Sequence, residues 1–298
     1  MVADGPVDES PIRELSLDAA RRLDIDFVDI GVVQRSVLEA RRLDTVYAFE
    51  LKAGHQVLDG PPDILAGMPS IDPSLLPLIE ATRLLVNRGW GLVWARLHLE
   101  EARLYPAGFD RLRRRFTINA IHKGVLAAGE AGLILAKRYD LSYRERARRL
   151  AELPLEWLGI GASDFRRAFA DSTRFKLAPI VDDDAPDTLV DRWMTVRDWH
   201  ERTLRAVEEA RIGRPVDAWS GWRRTVVGEG WRATLRRPRR FLSQRSQGVA
   251  GGGFGHLGLD RDHDFRRRLP AILYGIGSER LPSDWREDAR RHLDAWHS

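Results

Sequence analysis

Asn119, Lys123, Ala127 and Glu130 follow one another at steps of four, four and three, a spacing that stacks them on one face of a helix. The run around them is apolar, so they form a polar stripe in an otherwise buried stretch. An amine followed by a carboxylate on one face suits a nucleotide phosphate held beside an acceptor hydroxyl, and the small Ala127 leaves room between the two groups. The competing reading is a Lys123–Glu130 ion pair that bridges helices. Upstream, Arg83 and Asn87 share a face at a spacing of four, with Arg88 alongside. A guanidinium there grips a triphosphate or a carboxylate through two parallel hydrogen bonds; a structural helix-to-helix hydrogen bond is the alternative. The candidate set is therefore Arg83, Asn87, Asn119 and Lys123 for substrate or nucleotide binding, with Glu130 as the catalytic group that orients the acceptor.

These positions need long helices to hold them. Apolar residues spaced by three and four predict helices over 75–101, 108–138 and 142–152, with further ones at 164–175, 188–212 and 283–296. Ser142 and Glu145 read as a capping box at the start of the third. Residues 21–60 read differently, with β-rich runs over 26–33 and 45–50, the latter continuing through 56–58. The expected class is α+β and mostly α, a small incomplete sheet followed by a large helical bundle. The expected divisions are an α/β portion over 1–65, a helical bundle over 66–240, and a Gly/Arg-rich linker with a C-terminal helical segment over 241–298.

Composition narrows the chemistry. The 298 residues contain no cysteine, which excludes disulfides, cysteine zinc sites and thiol nucleophiles. Hydrophobic residues at 43% and charged residues at 31% are ordinary for a folded domain. Arginine carries nearly all the positive charge, but 44 acidic residues are interspersed and the net charge is only +4, so a nucleic-acid partner is not expected. The longest apolar run, 124–136, is broken by Glu130 and too short to span a bilayer. The first residues lack the pattern of a signal peptide, and a cytoplasmic protein without membrane partners is expected.

Two groups of motifs add a family resemblance. FVDIGVV, followed by FELKAGHQVLDGPPDIL, is similar to the closing strands of a nucleotidyltransferase domain of the DNA polymerase β superfamily. RLLVNRGWGLV and AIHKGVLAAGEAGLILAKRYDLSYRERARRL resemble the helical domain that follows those strands. Together they cover roughly residues 20–150. The resemblance implies transfer of a nucleoside monophosphate from a nucleoside triphosphate to a hydroxyl or phosphate acceptor. It also implies Mg²⁺ held by three carboxylates, of which Asp29 matches the third. The Gly-Ser turn and acidic pair that supply the other two are not found upstream of residue 20, so a protein partner is expected to supply that catalytic half. The alternative is a non-catalytic module that binds a nucleotide or a protein. A third reading is a helical RNA-binding or RNA-cleaving protein.

Three further patterns carry less. Gly253, Gly255 and Gly258 spell a dinucleotide fingerprint but follow an Arg-rich polar stretch instead of a strand. Asp260, Asp262 and Asp264 begin like a calcium loop, yet Phe265 stands where glycine is required and Ala271 where the bidentate glutamate belongs. Arg115 and His122 match an Arg–His ribonuclease spacing that recurs by accident in so Arg-rich a chain. Trp193 and Trp199, six apart, fit one buried helix face.

Overall fold

Apolar side chains that recur every three or four residues leave this chain little choice but helix. In the computed structural model, residues 1–3, 8, 10–22, 28, 30–34, 45–180, 183–219, 268–276 and 281–297 are described. Asp29, the whole of the 238–258 linker, including the glycines of the 253–258 fingerprint, and the aspartates at 260–264 lie outside the described residues. The chain divides into two units, Met1–Leu76 and Pro77–Ser298.

The expectation of an α+β chain with a small sheet is overturned. Among the described residues the first unit is built on helices α1 (Ser10–Arg22) and α2 (Val46–Gly54). The one extended pairing among its described residues sets Val2–Ala3 beside Val33–Gln34 in parallel, two residues long and too short to act as a sheet. The segment 45–50, read as a strand from its Thr, Val, Tyr and Phe content, is the start of α2. Thr45 caps that helix by accepting a hydrogen bond from the Ala48 N–H at 3.1 Å. Ala48 and Phe49 are adjacent and both buried. A strand would turn one of two neighbours outward, so packing selects the helix over the β-propensity of the side chains. Ala48 joins Leu65 and Met68 in the core of this unit.

The second unit is a helical bundle. Its elements are α3 (Leu78–Leu104), α4 (Arg111–Leu135), α5 (Tyr143–Ala151), α6 (Ala162–Leu177), α7 (Pro186–Ile212) and α8 (Ser283–His297), with a short helical stretch over 268–273. Helices α3, α4 and α7 pack against one another, α6 covers α4, and α8 lies on α3. Asp110 caps α4 by accepting from the Arg113 N–H at 2.8 Å. Pro186 opens α7 and Gly213, at φ 69°, closes it in the left-handed conformation that glycine adopts without strain. Ser142 caps α5, but Glu145 does not complete the box: the Ser142 N–H goes to Asp140 at 2.8 Å, and Glu145 pairs with Arg148 and Arg149. Glycines inside α4 let neighbours rest on its backbone, with Leu92 and Val196 over Gly124 and the Phe169 ring over Gly129.

Helix α7 is fastened to α3 by two ring N–H groups. Trp193 Nε1 donates to the Leu92 carbonyl at 2.8 Å, and His200 Nε2 lies 2.9 Å from the Leu85 carbonyl. A carbonyl only accepts, so His200 carries its proton on Nε2 and its Nδ1 accepts from the Tyr274 hydroxyl at 2.7 Å. Both residues are fully buried, and burial pushes the His200 imidazole down to about 4.

Above pH 6.5 both folded and unfolded chains hold His200 neutral, and this group adds no pH dependence. Below it the unfolded chain takes up a proton that the folded chain refuses, so stability falls as pH drops toward 4 and this contribution then levels off. The loss expected from His200 is about 3 kcal/mol over that window. Urea unfolding of the wild type and of His200→Gln at pH 7 and pH 4.5 checks it; the variant should lose less stability on acidification than the wild type.

Candidate functional site

Helices α3 and α4 are joined by a short turn and run antiparallel, with Arg113 3.5 Å from Glu101 and the Trp94 and Phe116 rings 5.1 Å apart. Further along the pair the two backbones leave a half-open cleft of about 160 Å³. A cavity of about this size in a protein interior takes a single benzene ring. The cleft therefore receives one ring or one phosphate of a larger molecule, the remainder lying across its mouth.

The lining is graded along the helix axis. At one end stand Trp94 of α3 and Phe116 of α4, while the buried Trp90 lines the space nearer the middle. Gly91 and Ala120 face the middle, with Asn119 beside them. At the other end are Asn87 and Arg88 of α3 and Lys123 of α4, and Leu293 of α8 closes one side. Arg88 to Trp94 is six residues, about 9 Å along a helix. Two cations, two carboxamides and three aromatic rings meet there, and no carboxylate among the described residues lines the space.

His98 supports the aromatic end from behind. It lies one turn beyond Trp94 and packs edge-on against Trp94 and Phe116, with ring centroids 6.0 and 5.2 Å away. Its Nδ1 is buried with no hydrogen-bond partner among the described residues. Burial pushes the imidazole below its ordinary pKa, against the opposite pull of Glu101 and Asp110.

The structure thus brings together Asn87, Asn119 and Lys123 from the sequence-derived set, with Arg88 beside them. Arg83 does not line the cleft; it is half-exposed and pairs with Glu80 at 2.5 Å. Glu130 lies two turns beyond Lys123 and is buried against Arg146, with Oε1 2.5 Å from the guanidinium. Arg146 also donates to the Asp140 and Leu141 carbonyls and sits between the Tyr139 and Tyr143 rings, 4.4 and 4.5 Å from their centroids. His122 of the Arg–His spacing is stacked on Phe175 at 4.1 Å and lies 2.9 Å from the Ser172 hydroxyl, a tie between α4 and α6. The residues that sequence reasoning passed over are Trp94, Phe116 and Gly91. Their signal was available in part, since Gly91 and Trp94 continue the face of Arg88, and Phe116 continues that of Asn119 and Lys123.

The Mg²⁺ implied by the resemblance needs converging carboxylates. Among the described residues no three His, Asp or Glu side chains gather to hold a metal ion, and Glu130 is committed to Arg146. The described residues do not fit a pair of metal ions. No helix among the described residues is long and apolar enough to cross a membrane. No known protein family, curated protein or solved structure matches this chain.

The buried pair makes a direct stability test. Glu130→Ala leaves the Arg146 charge without its carboxylate and should cost about 3–5 kcal/mol in denaturant unfolding. The double replacement Glu130→Leu with Arg146→Met should recover part of that loss, because it removes both charges from the core but leaves the Asp140 and Leu141 carbonyls without their donor.

Proposed function

We propose that the helical unit binds a nucleotide, with its base toward Trp94 and Phe116 and its phosphates toward Arg88 and Lys123. The observation that carries this reading is the grading of the cleft, aromatic at one end and cationic at the other, along about 9 Å of helix. An aromatic platform beside a cationic rim matches the two ends of a nucleotide, the flat base and the charged phosphates. Asn87 and Asn119 offer donors and acceptors between the two ends, and the lining holds no carboxylate that would repel phosphate. A cytoplasmic setting, where nucleoside triphosphates are plentiful, goes with this reading.

A second reading has one supporting observation. Asn87, Arg88 and Lys123 belong to the sequence stretches that resemble the helical domain of polymerase β-type nucleotidyltransferases, and all three line the cleft. In that reading the cleft holds substrate while a protein partner supplies the metal-binding carboxylates, and nucleoside monophosphate is transferred to an acceptor hydroxyl or phosphate. Incubation of this chain alone with labelled nucleoside triphosphates and Mg²⁺ should then give no incorporation; incorporation by the chain alone refutes the need for a partner.

For the leading reading, calorimetric titration with each of the common nucleoside triphosphates should give measurable binding that weakens as salt is raised. Lys123→Ala and Arg88→Ala should each lower affinity about tenfold, near 1.4 kcal/mol. Trp94→Ala should cost about 1–3 kcal/mol through lost stacking. Absence of heat with every nucleotide at millimolar concentration would sink the proposal.

A further inference from the structure

Gly91 stands inside α3, a helix of 27 residues, where glycine is poorly suited compared with alanine. The neighbouring glycine of the same helix has a packing reason: a Cβ at Gly89 would run into the Leu269 side chain. Gly91 has no such reason, since a Cβ there would meet nothing within 4 Å. No described residue fills the space it leaves, which belongs to the cleft. Across that space α4 presents Ala120, the smallest side chain on its lining face, between Phe116 and Lys123. Both helices are therefore pared back at the same level, midway between the aromatic and cationic ends.

We infer that Gly91 is the position that admits the base, which lies flat on the exposed backbone of α3 beside Trp94, while the phosphates run outward to Arg88 and Lys123. This inference rests on the nucleotide reading above and adds to it which end of the ligand enters and which residue sets its size. A ring in van der Waals contact needs about 3.5–4.0 Å above the backbone atoms it covers. Any side chain at residue 91 occupies that height. Gly91 is thus a size-determining position for the inserted ring and not for the phosphates, which stay at the rim.

The test separates a binding role from a structural one. Gly91→Ala removes a helix-interior glycine and should raise Tm by about 2–4 °C. Gly91→Leu fills the cleft and should also remain folded by circular dichroism and thermal melting. Adenosine and ATP should bind Gly91→Leu about tenfold more weakly than the wild type, whereas inorganic triphosphate should bind both within about threefold. Retained adenosine affinity in Gly91→Leu overturns the inference, as does equal loss of adenosine and triphosphate. A lower Tm for Gly91→Ala also overturns it, by showing that the glycine is needed for packing. A wild-type chain that takes up no nucleotide overturns the reading of the preceding section and this inference with it.

Discussion

Helices α3 and α7 are held in register by two hydrogen bonds from ring N–H groups. The donors, Trp193 and His200, are seven residues apart on α7, and the acceptors, Leu92 and Leu85, are seven apart on α3 in the opposite order. Seven residues are close to two turns, so both donors leave the same side of α7 and meet the same side of α3. A rotation of α3 that turned these carbonyls away would bury two N–H groups without acceptors, at about 1–3 kcal/mol each. The pair therefore fixes the rotation of α3. With the α7-facing side of α3 settled, Asn87, Arg88, Gly91 and Trp94 lie on a different side, the one shared with α4 and α8. Tyr274 extends the same constraint to the 268–276 segment through its hydroxyl on His200.

Charge in this protein is local. Most arginines in the described bundle are spent on nearby acids: Arg103 on Asp187, Arg138 and Arg148 on Glu152, Arg192 on Asp184. Such pairs on the surface contribute little to stability, but they cancel the field that an arginine-rich composition suggests. The lining of the cleft between α3 and α4 holds Arg88, Lys123 and, among the described residues, no carboxylate. That local composition, and not the overall excess of four positive charges, marks the site.

Periodicity made the bundle legible and left the first unit obscure. The six helices expected at 75–101, 108–138, 142–152, 164–175, 188–212 and 283–296 begin and end within three residues of α3 to α8. Their ends move for local reasons, such as Pro77 preceding α3 and Asp110 capping α4. The stretch at 45–50 went the other way because its buried neighbours, Ala48 and Phe49, are explained only by Leu65 and Met68, which composition does not link to them. At the site, spacings of four were enough to put Asn119 and Lys123 on one helix face and to associate Asn87 with Arg83. They were not enough to reveal that Glu130 meets Arg146 from the following hairpin, since that contact depends on a turn in the chain. Trp94 and Phe116 face each other only through the register of two helices, which no single-helix pattern contains.

Arg146, held as a flat plate between two phenol rings, has a consequence for what this chain can vary. A guanidinium keeps its charge in a dry setting, spreads it over a plane that fits between rings, and still has N–H groups left for the Asp140 and Leu141 carbonyls and for Glu130. An ammonium offers neither the plane nor the reach, and it sheds its proton when deprived of water. The exchange of arginine for lysine, neutral over most of the exterior, is closed at this joint, so the geometry of the α4–α5 elbow ties one element of the amino-acid composition to the fold itself.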